Sequence, residues 1–336
     1  MKTVAITGAT GFIAAWVCQE FLDAGWAVRG TVRSLSSSSS ERLKSALKVG
    51  TGSLELFEAD LLQPRSFARA FEGAEVVVHT ASPFVIEKVK DAQKDLIEPA
   101  LAGTTNVLSS LPPSVKRVVL TSSIVAVHGW NDDVPKNGKA YTEDDWNVTS
   151  TPRNLAYSAS KTLAERKGWE LAQGASWRLV VVNPGLVLGP TLTGRSDGAS
   201  LGLMKRLLTG GLATGVPGFD FGVVDVRDVA HGHFLAATVP EASGRHILVA
   251  EHADFLEIAW RLARLDPTLK GVPRARVPKW LLWLIAPQIG FTREYVRHQV
   301  DKKVRYDNSR SRSDLGLEYR ELNVTLGDMA ASLKGS

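Results

Sequence analysis

Tyr157 and Lys161 stand four residues apart in the run Tyr157-Ser158-Ala159-Ser160-Lys161. On a helix that spacing puts both side chains on one face, about one turn apart. A free phenol has a pKa near ~10 and exchanges protons reluctantly at neutral pH; a neighbouring ammonium favours the phenolate and lowers that value. Such a pair can give a proton to an oxygen as its carbon accepts a hydride, and take the proton back in the reverse direction. A hydroxyl aimed at the same oxygen stabilises the charge developing there, and Thr121-Ser122-Ser123 offers candidates, of which Ser123 is the expected one. With five tyrosines in the chain the Tyr and Lys spacing alone is common. Order along the chain makes it specific, because a glycine loop opens the sequence and the hydroxyls precede the Tyr and Lys helix.

That loop reads Thr7-Gly8-Ala9-Thr10-Gly11-Phe12-Ile13-Ala14. It predicts a strand-to-helix turn in which Gly8 permits the tight turn, Gly11 lets the backbone approach a pyrophosphate at the helix N-terminus, and Ala14 allows close packing of helix on strand. The alternative is a glycine turn without a ligand. The end of the second strand selects the dinucleotide, since an acid there holds a ribose 2′-hydroxyl whereas Arg accommodates a 2′-phosphate. Here the strand ends Thr31-Val32-Arg33-Ser34, with no acid nearby in sequence. Arg33, assisted by Arg42 or Lys44, therefore predicts NADP(H) over NAD(H); otherwise Arg33 is a solvated strand end. Asp60 can accept from an adenine amino group or cap a helix. His79, after three valines, is expected to be a structural core residue.

The elements that must position these groups follow from the pattern. Short apolar runs alternate with helical stretches and predict strands at Thr3 to Thr7, Ala27 to Val32, Leu54 to Ala59, Val76 to His79, Val118 to Ser122 and Leu179 to Asn183. Helices are expected over Phe12 to Ala24, from near Glu41, and from Tyr157 to about Gln173. Later come a strand around Val223 to Val226, a helix from Val229 to Thr238 and a strand at His246 to Val249. The serine run Ser36 to Ser40 reads as a mobile loop. The fold class is α/β, a Rossmann-type doubly wound parallel sheet with a smaller C-terminal substrate-binding lobe. Residues 1–185, extended by segments near 221–250, would form the NADP-binding domain, and 186–336 mainly the lobe.

Composition removes other classes. Lys and Arg number 40 against 35 Asp and Glu, and they are spread along the chain rather than clustered, so no nucleic-acid partner is expected. A single cysteine, Cys18, allows no intrachain disulfide and no cysteine-built metal site, and a reducing cytoplasm and no metal are the expectation. The apolar run Trp280 to Ala286 stops at Pro287, short of the ~20 residues that span a bilayer, so no membrane association is expected. A monomer or homodimer acting on a small-molecule carbonyl substrate is the resulting picture.

These motifs together resemble the extended short-chain dehydrogenase/reductases, and within them the dihydroflavonol reductase-like carbonyl and aldehyde reductases. The resemblance runs through TGATGFIA, TVRS, ADL, VVVHTASP, RVVLTSS, YSASK, VVNPGLVLGP, VDVRDVAHGHF, GRHI and YDNSRSRSDLGL. It implies a catalytic set of Ser123, Tyr157 and Lys161, with Lys161 also holding the nicotinamide ribose. It implies that Pro184, Gly185, Leu186 and Val187 line the nicotinamide, and that Gly8, Thr10, Gly11, Phe12, Ile13, Arg33, Asp60, Leu61, Thr80, Ala81 and Ser82 meet the rest of the cofactor. Two departures bear on substrate. His128 stands where plant dihydroflavonol reductases carry an asparagine for the flavonoid, and Asn154-Leu155-Ala156-Tyr157 replaces the NWYCY-type segment of cinnamoyl-CoA reductases. Neither a flavonoid nor a CoA thioester is expected. Phe84, His128 and residues of the Leu186 to Leu203 segment would shape the pocket, although Phe84 and the leucines equally suit a core. The expected reaction is reversible, NADPH-dependent reduction of a small aldehyde or ketone. The competing readings are an NAD-dependent nucleotide-sugar epimerase or dehydratase, and a non-catalytic NADPH-binding sensor.

Overall fold

Runs such as Val76-Val77-Val78 and Val180-Val181-Val182 present apolar side chains to both faces of a pleat, which suits strands covered on two sides. In the computed structural model, which describes residues 1–83, 91–195 and 197–334, these runs form the centre of a parallel sheet. Its strands are β1 (Thr3–Thr7), β2 (Ala27–Val32), β3 (Ser53–Glu58), β4 (Val76–His79), β5 (Arg117–Thr121), β6 (Arg178–Pro184) and, further along the chain, β9 (Gly244–Leu248). Between β6 and β9 lie β7 (Leu186–Leu188) and β8 (Asp220–Asp225), and β10 (Glu251–Asp254) follows. The large sheet runs β3-β2-β1-β4-β5-β6-β9 with every pair parallel, and β10-β8-β7 form a separate small sheet. Strand order reverses between β1 and β4, where Val4 pairs with Val76 and Thr7 with His79. In open α/β sheets the ligand crevice lies outside the carboxyl ends at this point.

The helices are α1 (Phe12–Asp23), α2 (Ser38–Ala46), α3 (Ala68–Phe71), α4 (Glu98–Leu108), α5 (Ala156–Ala172), α6 (Ala199–Leu208), α7 (Val226–Thr238), α8 (Phe255–Leu265), α9 (Lys279–Ile285), α10 (Arg293–Gln299), α11 (Ser309–Leu315) and α12 (Leu322–Lys334). On one face of the large sheet, Phe21 of α1 and Phe234 of α7 meet edge to face at 5.1 Å over Ile6, Val78 and Val180. On the other, Phe67, Phe71 and Val107 cover Val77, Val118 and Val181. A further core joins Leu201 and Met204 of α6, Phe255 and Leu262 of α8 and Leu326 and Met329 of α12 to the small sheet through Leu188 and Val223. Each such side chain contributes about 1.5–3 kcal/mol on burial.

Most expected elements stand within a few residues of their predicted bounds. The serine run is a correction, since α2 begins at Ser38 rather than near Glu41, leaving only the start of the run outside the helix. The side chain of Ser37 accepts from the Ser40 amide, and buried Ser40 donates its Oγ to Ser34 O at 2.7 Å. Serines that can cap a helix and satisfy its first turn make an ordered N-terminus out of a low-complexity run. Among the described residues no helix is long and apolar enough to cross a membrane.

Candidate active site

The loop after β1 turns at Gly8, whose φ of +66° lies in the left-handed region that favours glycine. The turn is pinned from two strands. Gly8 N donates to Thr31 Oγ1 at 3.1 Å and Ala9 N to Thr31 O at 2.8 Å, both from β2. From the β4 side, Thr80 Oγ1 donates to Thr7 O at 2.5 Å and Ala81 N to Thr7 Oγ1 at 3.0 Å. Gly11 caps α1 without any side-chain acceptor, so the first amides of the helix, at Phe12 and Ile13, point outward without a protein cap. An uncapped helix N-terminus behind a glycine turn is a fitting cradle for a pyrophosphate. Arg195 donates to Thr10 O at 3.2 Å and so closes on this loop from the segment before α6.

Arg33 is exposed just beyond β2. Its surroundings add a neighbour, because the sheet register sets Glu58 of β3 opposite Val32. An acid therefore does stand near the end of β2, a cross-strand neighbour that spacing along the chain conceals. Glu58 Oε1 is turned to the Leu35 amide at 2.8 Å. Of the assisting cations, Lys44 pairs with Glu41 at 2.9 Å and Arg42 donates to Ser39 Oγ at 3.3 Å. Asp60, after β3, accepts from Leu62 N at 2.8 Å and Leu61 O accepts from Asn106 Nδ2 at 2.8 Å. Asp60 caps no helix, since α3 starts eight residues later, at Ala68.

The first turn of α5 carries Tyr157, and Lys161 follows one turn on. Asn154 fixes the approach to this helix by accepting from Thr151 N at 2.7 Å and donating to Thr149 O at 3.1 Å. Lys161 Nζ lies 5.8 Å from the centre of the Tyr157 ring and donates to Ser82 Oγ at 3.0 Å. Ser123, just past β5, turns its Oγ to Pro184 O at 3.5 Å and accepts from Val125 N at 3.4 Å. Gly185 N donates to Leu248 O at 3.0 Å, which anchors the turn from β6 to Leu186 and Val187 of β7. The carboxyl ends of β4, β5 and β6 thus bring Thr80, Ala81, Ser82, Ser123 and Pro184 to the start of α5.

Burial pushes the Tyr157 phenol up to about 12 and brings Lys161 down to about 8. The direction at Tyr157 is opposite to the expectation from its lysine neighbour. The ammonium is drawn toward Ser82, and desolvation of the phenolate dominates. The phenol is consequently held as a proton donor at neutral pH. His79 is buried, its Nδ1 2.8 Å from Thr7 Oγ1, and burial first and Lys161 second lower it to about 3.

His128 is 6% exposed. Its ring contacts Tyr306 OH at 2.9 Å and Asn131 Oδ1 at 3.2 Å within an aromatic cluster that includes Tyr141. The structure thus places His128 inside protein packing, five residues beyond Ser123. Phe84 lies outside the described residues. Reading from the sequence missed Glu165, Asn183 and Arg245, which form a buried polar group beneath Ser123; the only available signal was Glu165 standing one turn after Lys161.

The dinucleotide cradle and the Tyr157, Lys161 and Ser123 set can be compared with known proteins. Residues 4–250 match the model of the NAD dependent epimerase/dehydratase family. The chain belongs to this family, the extended short-chain dehydrogenase/reductases. Among curated proteins, this extended reductase is 36% identical to cinnamoyl-CoA reductase CAD2 of Medicago truncatula over 338 residues, covering 99% of this chain and 96% of the relative. It is 33% identical to an anthocyanidin reductase of Vitis vinifera, covering 80% and 82% of the two chains. Among solved structures, yeast methylglyoxal/isovaleraldehyde reductase Gre2, complexed with NADPH, aligns with a TM-score of 0.80 and 28% identity over 99% of this chain and 98% of that one. The chain is an NADP-dependent oxidoreductase of the dihydroflavonol reductase-like group, with NADP(H) as its cofactor.

Proposed function

We propose that the chain reduces a small aldehyde or ketone to the alcohol, reversibly, with Tyr157 as the proton donor. The observation that supports this reading most is Lys161, one turn after Tyr157 on α5, donating to Ser82 past β4, while Ser123 past β5 turns its Oγ to Pro184 at the end of β6. NADPH, when bound, supplies the hydride. Gly8, Thr10, Gly11, Phe12 and Ile13 would hold its pyrophosphate end, with Arg33 at the 2′-phosphate and Asp60 and Leu61 toward the adenine. Thr80, Ala81, Ser82, Lys161 and Pro184 to Val187 would meet its nicotinamide half. The phenol of Tyr157, protonated through the neutral range, gives its proton to the carbonyl oxygen as that oxygen gains charge. Ser123 Oγ donates a hydrogen bond to the same oxygen, an oxyanion contact set in place by its own turn. Lys161, cationic below about 8, stabilises the phenolate left behind. Residues 1–185, with segments near 221–250, would serve the cofactor, and 186–336 would mainly close over the substrate.

His128 and the Asn154-Leu155-Ala156 segment support a small carbonyl over a flavonoid or a CoA thioester. The 36% identity to a cinnamoyl-CoA reductase favours the thioester as the second reading. Both are separated by following NADPH oxidation with isovaleraldehyde, methylglyoxal, benzaldehyde, 2,3-butanedione and cinnamoyl-CoA. Turnover of the aldehydes or the diketone, with little on cinnamoyl-CoA, is expected, and exclusive turnover of cinnamoyl-CoA contradicts the proposal. Protein that purifies with NAD and ignores NADPH would point to an epimerase or dehydratase. Protein that binds NADPH and turns over none of them would point to a sensor.

A further inference from the structure

Beneath the proton-transfer residues, one turn further along α5, Glu165 is 1% exposed and faces Arg245 of β9, itself 5% exposed. Arg245 Nε donates to Glu165 Oε1 at 2.6 Å. Its Nη1 donates to the main-chain carbonyls of Glu143 and Asp145 at 2.9 and 2.5 Å, and the Trp146 ring lies 4.0 Å from the guanidinium. The other carboxylate oxygen, Oε2, accepts from Ser122 Oγ at 2.5 Å and from Asn183 Nδ2 at 2.8 Å. The same Asn183 amide donates to Ser123 O at 3.2 Å.

One carboxylate therefore joins four elements. Ser122 and Ser123 follow β5, Asn183 precedes Pro184 at the end of β6, Arg245 belongs to β9, and Glu165 shares α5 with Tyr157 and Lys161. A buried ion pair is a poor source of stability, because apolar residues of the same volume are often no worse and removing one partner is costly. What this pair does have is a place between α5, which carries Tyr157 and Lys161, and the ends of β5 and β6, which lead to Ser123 and Pro184. Glu165 and Ser122 also line a cavity of about 20 Å³ together with Lys161 and His79. The charged or titratable groups around it among the described residues are Lys161 and Arg166 on α5, His79 on β4, His233 on α7, and Glu143 and Asp145 on the loop before α5.

We propose that the Glu165–Arg245 pair is a positioning element of the reaction. Through Ser122 and Asn183 it holds Ser123 and Pro184 in register with the face of α5 that carries Tyr157 and Lys161, and it keeps the charge behind Lys161 balanced. The proposal rests on the roles given above to Ser123, Tyr157 and Lys161.

The test compares E165Q, R245M, R245K and S122A with wild type and with Y157F, using the fastest aldehyde of the panel above. Folding is followed by circular dichroism and NADPH affinity by fluorescence. E165Q and R245K are expected to lower kcat about tenfold or more, because small misplacements of reacting groups are costly. NADPH affinity should stay within about threefold, since most of that binding lies elsewhere. In aldehyde reduction the fall of kcat/KM above about pH 8 follows loss of the Lys161 cation. E165Q leaves an unbalanced cation nearby and moves that falling limb to lower pH, whereas R245M leaves an unbalanced anion and moves it to higher pH. Each shift should reach about half a pH unit or more. R245K keeps the charge and leaves the limb in place. A merely structural pair would not produce shifts of opposite sign. Wild-type kcat in folded E165Q and R245K, or limbs that move together, overturns the proposal. Should those variants fail to fold, S122A, which removes one bond and spares the pair, decides through kcat alone: a several-fold loss supports the proposal and a wild-type value overturns it. If Y157F retains the wild-type rate, the underlying site reading fails; if Y157F is inactive while the others match wild type, only the positioning role fails.

Discussion

Gly8→Ala and Gly11→Ala should separate the two jobs of the glycine loop. An alanine at Gly8 would adopt φ near +66°, which costs about 1–2 kcal/mol for a residue with a Cβ. Its Cβ would also meet Ala81 Cβ at 3.0 Å and Ala81 Cα at 3.2 Å. Ala81 yields poorly, because its amide is bonded to Thr7 Oγ1 and the neighbouring Thr80 hydroxyl to Thr7 O. The crowding adds roughly 1 kcal/mol, for about 2–3 kcal/mol in all. For a chain of 336 residues that is a fall in Tm of about 3–4 °C. Gly11 differs, with φ of −69° and a Cβ that would stand 3.1 Å from Gly8 O and 3.6 Å from Ala14 Cβ. Gly11→Ala should melt within about 2 °C of wild type. Its methyl group, set beside the outward-pointing amides of α1, should weaken NADPH binding about tenfold or more, since close backbone approach is what the position provides. Thermal unfolding by circular dichroism and NADPH titration by quenching of tryptophan fluorescence measure both effects. Gly8→Ala melting with wild type, or Gly11→Ala binding NADPH at wild-type strength, refutes this reasoning.

Other outcomes follow from the same geometry. Arg33→Ala should weaken NADPH about 10- to 100-fold while leaving NADH little changed, since a charge-assisted contact contributes about 1.5–3 kcal/mol; an unchanged ratio of the two dissociation constants would remove Arg33 from the site. Because burial lowers Lys161 from its usual 10.5 to about 8, the cation is present below that pH and is lost as pH rises through it. The profile of kcat/KM for NADPH should therefore fall above pH 8 with a single ionisation, whereas Tyr157, held up to about 12, contributes no loss there. A profile flat to pH 10 would contradict the assignment of Lys161.

What could be read from sequence follows physical locality. The glycine turn, the valine strands and the Tyr and Lys spacing are each written within a few consecutive residues, and all stand where the pattern placed them. The small sheet of β10, β8 and β7 was less legible, because its strands are short and paired between distant segments, and β8 is interrupted by Gly222. Ser37 and Ser40 misled for a different reason: serine suits both loops and helix caps, and only the hydrogen bonds decide between them. Glu58 near Arg33, and Glu165 against Arg245, depend on cross-strand register and on the approach of β9 to α5, neither of which a linear motif records. The same holds for the Tyr157 phenol, whose upward shift comes from burial rather than from its neighbour in the motif.

The most direct measurement is the single-turnover and steady-state rate of Tyr157→Phe with NADPH and the best aldehyde of the panel, alongside its affinity for NADPH. Removing the proton donor while keeping the ring should lower kcat by about 100-fold or more, the range general-acid catalysis supplies, with NADPH bound at close to wild-type strength. A Tyr157→Phe protein that consumes NADPH at the wild-type rate would contradict the account.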